Sequence, residues 1–121
     1  MTPYERLEAW RRCHELVLEL YRATAHWPIH ERYGLVSKIR RAATSIPTNL
    51  AEGAAKRGVR EFRRYIDIAL GSLSELTYLL RLAHDLGYLT AADYARIEEI
   101  RNHAGRVTWR LYQAISRKAS A

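Results

Sequence analysis

Phe62-Arg63-Arg64-Tyr65-Ile66-Asp67-Ile68-Ala69-Leu70-Gly71-Ser72-Leu73-Ser74-Glu75-Leu76-Thr77-Tyr78-Leu79-Leu80-Arg81-Leu82-Ala83 carries the pattern that decides the fold. Phe62, Ile66, Ala69, Leu73, Leu76, Leu80 and Ala83 alternate four and three residues apart, the 3.5-residue period of helices packed in a left-handed bundle. A second apolar seam, Tyr65, Ile68, Leu79, Leu82 and Leu86, lies beside the first and predicts a helix covered on more than one side. Gly58 is placed to cap its start, with Glu61 in the first turn. Gly87 is placed to stop it, with Tyr88 and Leu89 folding back on its end.

The punctuation on either side supplies three more helices. Thr2-Pro3-Tyr4-Glu5 reads as a capping box that opens a helix from about Pro3 to Ala25. Its expected inner face holds Leu7, Trp10, His14, Val17 and Tyr21, widened by Cys13, Leu16 and Leu20. Trp27-Pro28 ends it, because the residue before proline is pushed out of the helical region. A second helix is expected from His30 or Glu31, burying Leu35, Ile39, Ala42, Ile46 and Leu50. Pro47 falls inside it, where proline costs about 3 kcal/mol. The spacing predicts a kink there, a carbonyl of Ala43 left without its partner, and hydroxyls of Thr44, Ser45 or Thr48 serving the freed groups. Gly53 reads as the stop. Thr90-Ala91-Ala92-Asp93 starts a fourth helix running to about Arg117, with Tyr94, Ile97, Ala104, Val107, Leu111 and Ala114 or Ile115 inward. Long amphipathic helices joined by short loops give an all-α, antiparallel up-down-up-down four-helix bundle, one domain over residues 1–121, with its second helix kinked at the proline.

Composition narrows the function classes. There is no apolar run long enough to span a membrane, and the N-terminus lacks the apolar core of a secretory signal. The single cysteine, Cys13, excludes an intrachain disulfide and fits a reducing cytoplasm. The net charge is +7, and 17 of the 20 basic residues are arginine. From Lys38 to Arg64, eight basic residues face two acidic ones. Arginine's planar fork suits phosphate, which makes a polyanion partner the leading expectation. The alternatives are a basic surface that keeps the protein soluble, and arginines that meet carboxylates at subunit contacts. Lys38, Arg41, Lys56, Arg57, Arg60, Arg63 and Arg64 are the candidate phosphate ligands. Arg106, Arg110 and Arg117 form a further stripe at helical spacing.

Catalytic patterns are missing from the sequence. No two histidines sit at i, i+4 on one helix, and there is no Glu-x-x-His pattern of the di-iron bundles, so neither metal nor other cofactor is expected. Cys13 reads as a small buried hydrophobe. No nucleophile elbow or Gly-rich phosphate loop occurs, and the chain is not expected to be an enzyme. Gly71 in mid-helix predicts, with Ala69 and Ser72, a close helix crossing, within the bundle or between subunits. Glu75 and Glu52 are either exposed or partnered by Arg40, Arg41 or Arg57.

Arg32-Tyr33-Gly34-Leu35, Arg40-Arg41-Ala42-Ala43, Ser45-Ile46-Pro47-x-Asn49-Leu50-Ala51-Glu52-Gly53, Glu61-Phe62, Ala69-Leu70-Gly71-Ser72-Leu73-x-Glu75-Leu76 and Leu86-Gly87-Tyr88 together resemble a known family. It is that of the bacterial four-helix-bundle proteins encoded in intervening sequences of 23S ribosomal RNA genes. The resemblance runs from about Tyr4 to Leu111. It implies a homo-oligomer, typically a pentameric barrel, and kinship with the accessory variability determinant of diversity-generating retroelements, a basic pentamer that binds nucleic acid and a reverse transcriptase. It implies that Ser45, Pro47, Asn49, Glu52, Gly71, Ser72 and Glu75 shape helix contacts and the oligomer. Gly58 departs from the pattern, since a serine cap is usual there. The expectation is a non-enzymatic homo-oligomer that binds RNA or DNA through phosphates. The alternative is an interaction scaffold, for example for a reverse transcriptase, without nucleic-acid binding of its own.

Overall fold

The computed structural model describes residues 1–121, and every regular element is helical. Four α-helices, α1 (Glu8–Thr24), α2 (Leu35–Ala54), α3 (Val59–Asp85) and α4 (Ala91–Ser120), are preceded or interrupted by 3-10 turns at Pro3–Arg6 and Ile29–Glu31. Each α-helix packs on its sequence neighbour, and α4 closes the ring against α1, the arrangement of an antiparallel four-helix bundle. A single apolar cluster fills the centre, with Leu16, Leu20, Ile39, Ile46, Leu50, Ile66, Leu76, Leu80 and Ile97 fully buried. Each such side chain contributes about 1.5–3 kcal/mol relative to leaving it exposed.

The α3 seam packs as its period requires: Ile66, Ala69, Leu73, Leu76, Leu80 and Ala83 are buried, and Phe62 is half-buried. The second seam departs from expectation. Leu79 is buried, but Ile68 and Leu86 are exposed, so one chain covers only part of it. The end of α3 closes as a Schellman motif. The Tyr88 and Gly87 amides donate to the carbonyls of Ala83 and His84, and Gly87 takes φ +84°, where glycine has no Cβ to clash. The start of α4 is capped by Thr90, whose hydroxyl accepts the Asp93 amide.

The N-terminal half differs more. The capping box forms, with Glu5 accepting from the Thr2 amide and hydroxyl, but it caps only the 3-10 turn. Leu7 is extended and separates that turn from α1. The buried face of α1 centres on Ala9, Cys13, Leu16, Leu20 and Thr24, while His14 and Tyr21 stay outside. Trp10 and His14 stack on the flank, 4.9 Å apart. A buried cysteine and alanine at the centre let α1 approach its neighbours, and the bulky rings occupy the margin.

α2 begins at Leu35, later than expected, because Glu31 caps it from the preceding turn. Its carboxylate accepts the Leu35 amide at 3.1 Å and the Tyr88 hydroxyl at 2.9 Å. A Cβ on Gly34 would stand 2.7 Å from that carboxylate oxygen. The helix continues through the buried Pro47. None of the expected hydroxyls reaches the carbonyl of Ala43: Thr44 donates to that of Arg40, Ser45 bonds Ser72, and Thr48 is exposed. Gly53 is not the stop: α2 runs through it to Ala54, and Ala55 is the cap. A Cβ on Gly53 would meet Tyr65 Cβ at 2.7 Å and Phe62 Cδ1 at 2.9 Å, so this glycine lets α3 press against α2 beside their connecting turn.

Candidate nucleic-acid interface

Ser45, Asn49, Ser72 and Glu75 meet at one outer groove between α2 and α3. The hydroxyls of Ser45 and Ser72 lie 2.9 Å apart, and the Asn49 amide donates to the Ser45 carbonyl at 2.8 Å and to its hydroxyl at 3.1 Å. A groove of 380 Å³ beside them is lined by Lys38, Arg41, Ala42, Ser45 and Glu75. Glu75 and Glu52 are exposed and form no ion pair. Arg40, a candidate partner for them, is engaged elsewhere. Its guanidinium donates to the Thr24 hydroxyl and the Tyr21 carbonyl and lies over the Tyr21 ring, tying α2 to the end of α1. Pro47 faces another groove, with Tyr4, Trp10 and His14. At Gly71 a Cβ would meet nothing within 4 Å, so of the two expected crossings the one inside the bundle is absent.

The seven candidate phosphate ligands fall into two groups. Lys56 and Arg57 lie in the α2–α3 turn and Arg60, Arg63 and Arg64 in the first turns of α3, whereas Lys38 and Arg41 lie further back on α2. Arg41 and Lys56 are separated by about 22 Å of helical rise. Arg64 is paired with Glu61 at 3.0 Å, a bond that lowers the Glu61 pKa and raises that of Arg64. The Lys56 ammonium and the Arg64 guanidinium both lie against the Tyr65 ring, at 5.5 and 4.7 Å. The other six cations have no carboxylate within ion-pair distance.

α4 adds residues that sequence reasoning left out of the candidate set. Asp67 of α3 and Trp109 of α4 line one cleft, and the helices are antiparallel. Moving from there toward the α3 N-terminus reaches Arg63 and Arg60, and the same distance toward the α4 C-terminus reaches Gln113 and Arg117. Arg106, Arg110 and Arg117 also lack carboxylate partners and are exposed. Trp109, 50% exposed, stands among them. Its signal in the sequence is a large aromatic off the Val107–Leu111 core stripe and beside two arginines.

The acidic residues, by contrast, are mostly consumed in local pairs such as Arg12 with Glu8 and Glu15, Arg81 with Asp85, and Arg101 with Glu98. No three His, Cys, Asp or Glu side chains converge as a metal site would need. No helix is long and apolar enough to cross a membrane. Fold and surface thus define a class, the all-helical bundles with a basic surface on which many cations have no carboxylate partner. The family is narrower: a model of the 23S rRNA-intervening sequence proteins matches residues 5–110, and the chain belongs to that family. Among solved structures it is similar to a protein of unknown function from the S23 ribosomal protein family of Bacteroides thetaiotaomicron. The two share 20% identity and a TM-score of 0.76 over 86% of this chain and 97% of that one, a likeness of fold. A comparison with curated proteins finds no match.

Proposed function

We propose that this protein is a non-enzymatic, basic homo-oligomer, pentameric as the family resemblance implies, that binds RNA or DNA in the cytoplasm through backbone phosphates. The observation that carries this reading is the unneutralised set Lys38, Arg41, Lys56, Arg57, Arg60 and Arg63, in a chain whose carboxylates mostly hold other arginines. Cations left without counter-charges repel one another and gain most from a polyanion, whose condensed counterions they release. Arg64, already held by Glu61, is the weakest contributor of the seven. The experiment is a salt titration of RNA and single-stranded DNA binding with the Arg60→Glu/Arg63→Glu variant. The expected result is weaker binding and a shallower salt slope at unchanged helicity; unchanged affinity and slope would overturn the reading.

One observation favours a scaffold as the second reading. Ile68 and Tyr78, 40% and 63% exposed, flank the Ser72–Glu75 segment and leave an apolar margin for another chain. A second copy there would complete the oligomer, and a different protein, such as a reverse transcriptase, would make this chain an accessory factor. Light scattering on a sizing column, with and without nucleic acid, separates the two readings. A discrete oligomer that ignores nucleic acid at physiological salt would favour the scaffold.

A further inference from the structure

The cleft between α3 and α4, 540 Å³ in volume, has Trp109 as one wall and Asp67, Ser74, Thr77 and Arg101 at its rim. Trp109 stacks on Tyr112 with centroids 5.4 Å apart and planes 18° from parallel, which steadies the indole while half of it stays exposed. Gly105, one turn earlier, lines the same cleft and leaves the α4 wall beside Trp109 without a side chain. Across the cleft is Gly71, and a Cβ on either glycine would meet nothing within 4 Å. Mid-helix glycine weakens a helix relative to alanine, and contacts within the chain do not offset that loss here.

The charges around the cleft have a direction. Arg106 and Arg110 follow Gly105 and Trp109 on α4, just outside the cleft's lining and without carboxylate partners; within the lining Arg101 is held by Glu98, and Asp67 on the α3 wall has no cation. A phosphate is attracted to the α4 side and repelled from Asp67. The carboxylate accepts the N–H groups found on base edges.

We infer that this cleft takes one unpaired base of a single-stranded nucleic acid, stacked on Trp109, with Arg106 and Arg110 holding the flanking phosphates. The inference rests on the nucleic-acid reading above and narrows it, because a duplex keeps its base faces inside its own stack and cannot offer one to the indole.

Fluorine NMR of the full chain carrying 5-fluorotryptophan tests this. Its three tryptophans give three resonances, and Trp109→Phe assigns the third. An unstructured RNA or DNA of about a dozen nucleotides is added at physiological salt, then a duplex of equal length, with affinities from anisotropy. The Trp109 resonance is expected to move with the single strand and not with the duplex. Trp109→Ala should weaken single-strand binding roughly 5- to 150-fold and leave duplex binding and circular dichroism unchanged, while Trp109→Phe keeps most of the affinity. Single-strand binding with an unmoved Trp109 resonance and no effect of Trp109→Ala would overturn the inference and leave the phosphate-binding reading standing. No binding of either nucleic acid would overturn both. A Trp109→Ala variant with altered oligomer mass but unchanged strand affinity would make the cleft a contact between copies and overturn the base slot.

Discussion

Ser45 and Ser72 join α2 to α3 through hydroxyls 2.9 Å apart, with Asn49 one turn further along α2 donating to the same Ser45 oxygen. A half-buried bond of this kind contributes about 1 kcal/mol net. Ser45→Ala and Ser72→Ala should each lower stability by about that amount. The double variant should lose less than the sum, since the shared bond can be removed only once. Urea unfolding of the three variants checks this; strictly additive losses would show that the hydroxyls are not coupled.

Two glycines on neighbouring helices should respond to alanine with opposite signs. At Gly53 the new methyl would press on Tyr65 and Phe62, and overpacking of this kind costs about 1–3 kcal/mol. At Gly71 the methyl has open space, and the gain in helix propensity is about 1 kcal/mol. Thermal unfolding of Gly53→Ala and Gly71→Ala distinguishes them. A destabilised Gly71→Ala would place another backbone against that position in the assembled protein.

Glu31 links the start of α2 to Tyr88 and carries a pH dependence of known sign. Hydrogen bonds from the Leu35 amide first, then from the Tyr88 hydroxyl, hold its pKa below the ordinary 4.5. The stability this contributes is present above pH 4.5 and is lost as the pH falls through the depressed value. Glu31→Gln should therefore lower the melting temperature at neutral pH and reduce its fall on acidification. An unchanged difference between variant and parent across that acid range would remove Glu31 from the account.

Gly58 caps α3 at φ +90° and ψ 146°, a region that residues with a Cβ avoid. Gly58→Ser introduces a hydroxyl that could cap α3 but forces this backbone strain. The net change should be a loss within about 1–3 kcal/mol. A more stable serine variant would show that the turn relaxes into another conformation.

Cys13 is fully buried, and burial raises its thiol pKa to about 11 against a weaker opposing effect from the Thr108 hydroxyl. Thiolate, the reactive form, is therefore scarce at neutral pH and out of reach of reagents. Alkylation should proceed only as fast as the bundle opens and should accelerate in urea. Rapid labelling of the folded protein would contradict the packing of α1.

What was legible followed from how each property is encoded. The bundle was readable because the α3 seam repeats at the period of the contact it makes. The face of α1 departs from its pattern because Trp10, His14 and Tyr21 resemble core by residue type, whereas small Ala9 and Cys13 hold the centre. Gly53 and Gly71 are identical in sequence and opposite in use, since only the partner helix decides what a missing Cβ allows. The basic cluster between Lys38 and Arg64 was visible as a local excess of charge. Its separation along α2 was not, because proximity in sequence along a rigid helix becomes distance in space. Trp109 carries no decisive signal in the sequence alone, because one aromatic off the core stripe has no meaning until its neighbours are placed.

The uneven pairing of charge along the bundle has a kinetic consequence. Lys56, Arg57, Arg60 and Arg63 are uncompensated near the α2–α3 turn, while at the opposite end Asp85 and Asp93 hold Arg81 and Arg96. The molecule is therefore an electric dipole along its own axis. In the field of a polyanion such a body turns before it touches, so its productive orientation is selected during approach. Added salt should then slow arrival far more than it shortens the life of the complex once formed.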